Sequence, residues 1–444
     1  MRAEALTRRE PGVTVARTAE YPRMHEVGSM RRRSVRALAA LSLLGLSACS
    51  VSAAEPSAPA GALTVWLMAD SAPPGVVAEV NKQFQTLHPG VRVTVQTIAW
   101  SGRATRWEAG MASATPPDVV EMGNSDVVAY AVGGKLTDLS GRDFENSETW
   151  LAGLREAGTS SGKLYGVPYY GGARVVIYRK DLWQRAGLGQ PPGTVAELRA
   201  DALRLMAANP APDFSGLSLP GRYQYAGLSF VFDAGGSIAT QRDGKWVGAL
   251  STAKSVTGLQ NWLSLATAVS RVPADADETT NVDQLGTGRA AMVIGQGSTA
   301  AQVAQKYPQL GEQLGVFPLP GVSGPAPVFL GGSNLVVPKT TQRTALAAEW
   351  IKLITGTQYE GLLGQSGLVP NSSALSTMVG GITAVELAAA QHSWFTPASP
   401  RWSAVDNANI VQNMFQSIRS GWVTPAAAAA TADEKITQLL NSTG

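Results

Sequence analysis

The residue types that carry catalysis in most enzymes are present in the chain, but their spacing places none of them in a catalytic arrangement. The densest group of carboxylates is formed by Asp275, Asp277, Glu278 and Asp283. Glycoside hydrolysis needs two carboxylates at a set separation, and the Pro, Ala and Thr residues around these four do not fix one. We interpret the group as a solvated loop.

The histidines and the phosphate-binding motifs likewise give no sign of a catalytic arrangement. His88 precedes Pro89 at the end of a predicted helix, and His392 stands alone, so neither has metal-ligand spacing. Neither has a Gly-x-Ser-x-Gly partner motif, and the chain contains no Walker loop. We therefore expect a protein that is not an enzyme, binds no metal and uses no cofactor.

The only cysteine, Cys49, ends a short N-terminal leader. A charged segment at 30–33 (Met-Arg-Arg-Arg) precedes an apolar segment at 35–48, which is typical of a signal peptide and too short to span a membrane. Residues 46–49 (Leu-Ser-Ala-Cys) resemble the lipobox of bacterial lipoproteins, whose cysteine is lipidated. We expect 1–48 to be leader and signal peptide, Cys49 the lipidation site and 49–60 a tether. A plain secretory signal is the alternative.

The charge of the chain belongs mainly to that leader. The formal net charge is +3, from 36 basic and 33 acidic residues among 444, but residues 1–48 contain nine Arg and four Glu. The remainder has 27 basic and 29 acidic residues and no Lys/Arg-rich stripe, which argues against nucleic acid as a partner. No apolar run after residue 60 reaches the length of a membrane-spanning helix.

Strand and helix patterns alternate along the rest of the chain, which predicts parallel sheets covered by helices. The first α/β region has strands predicted at 63–68, 91–98 and 118–122, each followed by a helix. The second has a strand predicted at 225–230, and one long helix is predicted at 405–420. Gly pairs at 171–172 and 331–332 mark extended segments that could act as hinges between the two regions.

Five blocks in order resemble the family-1 extracellular solute-binding proteins, the maltose-binding-protein-like receptors of sugar ABC importers. They cover most of residues 61–444, and the composition points to an actinobacterial member. The blocks are 117–139 (beginning PDVVEMGNSD), 162–182 (beginning GKLYGVPYY), 288–292 (GRAAM), 331–337 (GGSNLVV) and 367–370 (GLVP).

The resemblance implies an α/β, periplasmic-binding-protein-like fold of two doubly wound lobes, joined by a hinge, with the ligand cleft between them. The first lobe would be 61–172 plus 331–370, and the second 175–328 plus 374–444. The implied function is that of a lipid-anchored, monomeric receptor on the outer face of the cytoplasmic membrane. It would deliver a small oligosaccharide to ABC permease subunits by cleft closure.

Candidate ligand-binding residues in the first lobe follow its predicted strands, because ligands of α/β sheets bind at the carboxyl ends of strands. Asp70 follows the first strand, and Trp100 follows the second, where its ring could stack on a sugar or pack on Trp107. Asn124, Ser125 and Asp126 follow the third and match family positions that contact the sugar. A helix cap is the alternative role of Asn124 or Ser125.

The remaining candidates come from the crossings and the second lobe of the family. They are Tyr170 and Arg174 at the first crossing, Ser333 and Asn334 at the second, Phe232 and Asp233 in a second-lobe loop, and Trp394 and Trp402 as stacking aromatics.

One segment departs from the maltodextrin-binding members of the family. Where those members have a stacking Trp, this chain has Gln296-Gly297-Ser298, and Met122 replaces an aromatic residue that some members have. The departure favours a mono- to trisaccharide, with an amino sugar disaccharide among the candidates. A glycerophosphodiester or other non-sugar solute, and a secreted glycosidase, are the alternatives.

Overall fold

The structure is a computed structural model and describes residues 61–69 and 71–442. Its strands are β1 (Ala62–Met68), β2 (Arg92–Ile98), β3 (Val119–Gly123), β4 (Thr159–Ser160), β5 (Lys163–Leu164), β6 (Gly166–Ala173), β7 (Val175–Arg179), β8 (Ser215–Ser218), β9 (Ala239–Arg242), β10 (Lys245–Gly248), β11 (Ala290–Gly295), β12 (Leu314–Phe317), β13 (Val328–Val336), β14 (Val369–Pro370) and β15 (Ser393–Trp394).

The helices follow the strands in the alternating order that the sequence predicts. They are α1 (Pro74–Leu87), α2 (Arg103–Met111), α3 (Val127–Val132), α4 (Ala152–Ala157), α5 (Lys180–Arg185), α6 (Val195–Ala208), α7 (Gln224–Asp233), α8 (Ala253–Val269), α9 (Asn281–Gly286), α10 (Gly297–Lys306), α11 (Thr344–Ile354), α12 (Thr357–Gln365), α13 (Gly381–Ala390), α14 (Trp402–Asn407), α15 (Ile410–Arg419) and α16 (Pro425–Leu440). Within the described part of the chain, none of these helices combines the length and apolar character needed to cross a membrane.

The larger sheet has the strand order β14-β6-β13-β3-β1-β2, with β15 beside β13. Strands β1, β2 and β3 run parallel, as predicted, so their carboxyl ends meet at one edge. Successive residues of a strand face opposite sides of a sheet. Val65 accordingly packs toward α1, α11 and α12, and Trp66 toward α2 and α3. We call this sheet with its two cores the first lobe.

The smaller sheet has the order β12-β7-β11-β8, and its core contains α6, α7, α8 and the C-terminal helices. We call this sheet with its core the second lobe. The strand predicted at 225–230 is wrong: the segment lies in α7, and the strand is β8. Seven of the ten α7 residues are buried, and an apolar segment buried on nearly all sides has no periodicity that separates helix from strand.

The helix predicted at 405–420 is also wrong in its extent. The chain is broken there into α14 and α15 by Asn409, which has a left-handed backbone with φ of 51°. Asparagine is one of the few residues that adopts this conformation readily. The break separates α14 from α15, and Asp406 lies on α14.

Three strands cross between the lobes side by side. In the antiparallel pair of β6 and β13, Gly172 lies opposite Gly331 and Gly171 opposite Gly332, and β14 pairs with β6 on its other side. Gly332 has a φ of +139°, and a Cβ added there would lie 2.2 Å from the Tyr170 carbonyl oxygen. The glycines therefore allow a close approach of two backbones.

Replacing Gly332 with alanine is expected to lower the free energy of unfolding by about 3 kcal/mol, because of the strained φ and the backbone clash. Gly75→Ala is the matched control: nothing lies within 4 Å of its added Cβ, so it should stabilise helix α1 by about 0.5 kcal/mol. Urea denaturation of both variants measures the difference. Equal stabilities would contradict the assigned close approach.

Candidate functional site

The predicted first-lobe residues lie at the carboxyl edge of the larger sheet, where α3 begins. Asn124 and Ser125 are half-buried after β3, and Asp126 is buried. Asp126 occupies the N-cap position of α3, but among described residues no side chain makes a cap hydrogen bond there. The capping role that was the alternative for Asn124 and Ser125 is therefore not seen. Asp70 and Cys49 lie outside the described residues.

Asn124 connects the end of β3 to the crossing strand β13. Its side-chain amide lies 2.9 Å from the side-chain amide of Asn334, which is fully buried, as is Ser333. The second polar atom of the Asn124 amide is shielded from solvent and has no hydrogen-bond partner among described residues. Because buried polar groups are nearly always paired, this amide is available to a bound molecule.

Asp126 is held by a guanidinium. Arg103 of α2 donates to both carboxylate oxygens at 3.1 and 3.3 Å. Burial raises the pKa of Asp126, and the charge and hydrogen bonds of Arg103 oppose that rise. The pair presents an oriented carboxylate and a half-buried cation at the sheet edge.

Tyr170 belongs to a buried polar network beneath that edge. Its hydroxyl donates to Glu121 Oε1 at 3.0 Å and lies 3.3 Å from Ser333 Oγ, while the Met68 amide donates to Glu121 Oε2 at 2.8 Å. Burial raises the pKa of Glu121, and these hydrogen bonds oppose it. The network ties β1, β3, β6 and β13 together, so Tyr170 and Ser333 have positioning roles in this arrangement.

Arg174 lies at the junction of β6 and β7, where the chain enters the second lobe, and is 6% exposed. Its guanidinium carbon lies 4.7 Å from the Tyr225 ring and 4.8 Å from the Phe329 ring. Nε donates to Tyr223 at 3.4 Å, and Nη2 lies 3.9 Å from Glu278. Nη1 is buried without a partner among described residues.

The second lobe faces this edge with polar atoms of its own. Asp406 and Trp402 on α14, Gln224 on α7 and Gln412 on α15 each hold a buried polar atom that lacks a partner within the described chain. Burial raises the pKa of Asp406 to about 6, neighbouring Gln224 and Trp402 lower it, and the charge of Asp126 raises it. Asp406 thus lies within electrostatic reach of the first-lobe pair formed by Asp126 and Arg103.

The aromatic candidates divide into exposed and buried rings. Trp100 is 36% exposed, donates through Nε1 to the Ala69 carbonyl at 3.1 Å and lies 5.9 Å from the Arg103 guanidinium. Trp107 instead packs edge-on against Tyr130. The Trp100 ring is thus accessible to a ligand.

Trp394 and Trp402 are buried in the core of the second lobe, at 3% and 1% exposure. Trp394 stacks on Phe232, with ring centroids 4.7 Å apart and a 10° interplanar angle. Asp233 accepts from the Val322 amide, in a loop of the same lobe. The structure therefore gives Phe232, Asp233 and Trp394 partners within the second lobe and does not bring them to the Asn124 group.

A cavity of about 370 Å³ lies where the two lobes meet. Ser71 and Pro73 of the first lobe and Gly297, Ser298 and Gln302 of the second are among its lining residues. The segment that departs from the maltodextrin-binding pattern therefore lines this cavity. No group of three metal-ligating side chains occurs within the described ranges.

A family model for the bacterial extracellular solute-binding proteins matches residues 69–361, well over half of the chain. The chain belongs to this family. The solute-binding protein is 31% identical to the diacetylchitobiose binding protein DasA of Streptomyces coelicolor over 416 residues, which are 90% of this chain and 96% of DasA.

Solved structures match the fold of the solute-binding protein over nearly their whole length. The sugar-binding protein MalE of Xanthomonas citri superposes with a TM-score of 0.76 at 21% identity, covering 85% of this chain and 97% of MalE. The GacH receptor of Streptomyces glaucescens, solved unliganded and with acarbose, gives 0.72 at 20% identity, covering 86% and 99%. The predicted two-lobed, periplasmic-binding-protein-like fold is confirmed.

Sequence reasoning missed several polar residues of the solute-binding protein's candidate site. Gln224 was placed at the edge of a strand that does not exist, and Asp406 and Gln412 inside one continuous helix. Glu278 was assigned to a solvated loop, yet it lies beside Arg174. The one available signal was Asn409, since Asn favours helix ends and turns, and a break there places Asp406 and Gln412 on two different helices.

Proposed function

We propose that this protein is the sugar-binding receptor of an ABC importer and takes a small oligosaccharide between its lobes. One observation carries the proposal: Asp406 of the second lobe lies within electrostatic reach of Asp126 and Arg103 of the first, while its Oδ1 has no partner in the described chain. The name of the 31% identical DasA, a diacetylchitobiose binding protein, supports the same class of ligand.

The chemistry of the group suits a carbohydrate. Sugar hydroxyls are donors and acceptors at once, and the unpaired atoms include a donor at Arg174, acceptors at Asp406 and Gln224, and one polar atom of the Asn124 amide. The exposed ring of Trp100 offers a surface for the apolar face of a sugar. Leaving these polar atoms buried and unpaired is costly, so a ligand that pairs them is favoured.

The transport cycle follows from the crossings. We propose that residues 61–172 plus 331–370 and residues 175–328 plus 374–444 move as two bodies about the Gly pairs, and that ligand contacts to both bodies select the closed arrangement. The protein would act as a monomer, tethered through lipidated Cys49 to the outer face of the cytoplasmic membrane. It would deliver sugar to permease subunits without chemical change.

Isothermal titration with N,N′-diacetylchitobiose, maltose and mannitol tests this function. We expect one of the disaccharides to bind, and Asn124→Ala and Asp406→Ala each to weaken that binding by about tenfold, because each removes one hydrogen bond to a buried ligand. Asn407→Ala, at the exposed neighbour of Asp406, is the matched control and should bind normally.

Three outcomes would contradict the proposal. If Asn124→Ala and Asp406→Ala both bound the sugar with normal affinity, the sugar site would have to lie elsewhere. Release of reducing sugar by the purified protein would revive the glycosidase alternative. Competition by phosphate-containing ligands would support a glycerophosphodiester instead, although Glu278 beside Arg174 makes that region a poor match for an anion.

A further inference from the structure

A small cavity of about 180 Å³ lies in the second lobe between α7, α15 and the 277–279 turn, and it shares Gln224 and Gln412 with the candidate site. Its polar lining is unbalanced. The cavity is lined by Arg222, Tyr223, Gln224, Glu278, Thr279 and Gln412, among others. Whether its free atoms are donors or acceptors decides what it can hold.

The acceptors in this cavity are free. Gln224 is only 4% exposed, and its Oε1 has no hydrogen-bond partner within the described chain. The Oε1 of Gln412 is likewise shielded and unpaired. Glu278 adds a half-buried carboxylate whose nearest cation, Arg174 Nη2, is 3.9 Å away, which is long for a strong ion pair.

Three of the donors in the cavity lining are already engaged. Arg222 Nη1 donates to Asn413 and Gln416 on α15, at 3.0 and 2.8 Å. The Thr279 hydroxyl donates to Asp277. The Tyr223 hydroxyl accepts from Arg174 and donates to Glu278. Burial raises the pKa of the Glu278 carboxyl, and the charge of Arg174 and this hydrogen bond oppose the rise.

We propose that this cavity binds a protonated amine, so that the ligand is an amino sugar carrying at least one free ammonium group rather than only acetamido groups. The inference rests on the proposed function and specifies its ligand. An ammonium has three donors and no acceptor. It can donate to Gln224 Oε1, Gln412 Oε1 and the Glu278 carboxylate, and the carboxylates of Asp277 and Asp406 add to its electrostatic stabilisation.

Other substituents match the lining less well. An acetamido group offers only one N–H, so it leaves two of the three acceptors unpaired. A hydroxyl has one donor and leaves two of the three acceptors unpaired. Burying unpaired acceptors costs free energy, so the lining discriminates by the number of donors that the ligand offers.

The test compares the β-1,4-linked glucosamine disaccharide with its N,N′-diacetyl form by isothermal titration. We expect the free-amine form to bind at least about tenfold more tightly. Gln412→Met should abolish most of that preference by weakening the free-amine form more than the diacetyl form, and Gln224→Met should act in the same way. Gln184→Met, at an exposed position of α5, is the matched control.

The pH dependence of binding shows whether the preference comes from the charge of the ligand's amines or from the smaller size of the free-amine disaccharide. Raising the pH about one unit above the pKa of the free ligand's amines should remove the preference. Over that range Asp406, whose pKa is raised to about 6, stays ionised, and Arg174, whose pKa is raised, stays charged, so the ligand is the group that titrates. If the free-amine disaccharide still bound more tightly at this higher pH, the proposed ammonium site would be overturned.

The two proposals fail in different ways. Tighter or equal binding of the diacetyl form would overturn the amine site and leave the receptor function standing. If neither disaccharide bound, nor any other sugar, the receptor function itself would be overturned and the amine site with it.

Discussion

Replacing Arg174 with methionine is expected to lower the affinity for the bound sugar on the order of 100-fold, because a charged hydrogen bond to a buried group is lost. The guanidinium is 6% exposed and has one unpaired Nη1, so the ligand would lose a donor that no neighbour replaces. The change also leaves Glu278 without its cation. Isothermal titration measures the affinity, and thermal unfolding checks that the variant is folded.

Arg179→Met is the matched control for this experiment. Arg179 is also a largely buried arginine at the end of the same segment, but it pairs with Asp181 at 2.7 and 2.8 Å and with the Leu285 carbonyl. We expect it to lower stability and leave sugar affinity unchanged. An affinity of Arg174→Met within about threefold of the unmodified protein would make Arg174 a structural residue only.

Replacing Glu386 with glutamine is expected to stabilise the protein at alkaline pH by on the order of 4 kcal/mol. Glu386 is 1% exposed and accepts from the Gly297 amide at 2.8 Å. Burial raises its pKa from 4.5 to about 8, opposed by that hydrogen bond and by Arg174. Because the folded-state pKa is the higher one, the proton stabilises the folded state, and this stability is lost as the pH rises from about 4.5 to about 8.

Glutamine cannot ionise, so the variant should lack this part of the pH dependence. Urea denaturation at several pH values gives the difference between variant and unmodified protein, and that difference isolates Glu386 from the other buried acids. Glu434→Gln, at an exposed site on α16, is the control and should change nothing. Parallel stability curves for Glu386→Gln and the unmodified protein would contradict the assigned burial.

The fold was largely predictable because its signals are local. Alternating strand and helix patterns gave β1, β2 and β3 with their helices, and Thr194 with Glu197 marked the start of α6 through a capping box that the structure contains. Prediction failed for α7, where burial on nearly all sides removes the periodicity. It failed again at Asn409, where a single left-handed residue divides one helical pattern into two.

The candidate site was only partly predictable because half of it comes from distant parts of the chain. Asn124 and Asp126 follow a recognisable strand, so local pattern and resemblance both led to them. Asp406 reaches the same region only through the packing of α14. Its proximity to Asp126 therefore depends on the tertiary structure. No spacing in the sequence records a contact between residues that far apart.

The aromatic predictions illustrate the same limit. A tryptophan in a polar, Pro-rich segment suits a stacking platform and a core equally well, and Trp394 is in the core. Its partner Phe232 was predicted as a separate ligand contact, but the two rings stack on each other. Trp100 differs because the carbonyl of Ala69 holds its indole nitrogen at the sheet edge and leaves the ring exposed.

The placement of β13 has a consequence for how the protein leaves the cytoplasm. This strand lies between β6 and β3 in the larger sheet, yet it is synthesised more than 150 residues after them. The N-terminal third of a nascent chain therefore cannot complete its own sheet, and non-local pairing of this kind slows folding. An exported polypeptide benefits from that delay, because a translocation channel accepts it while it is still extended.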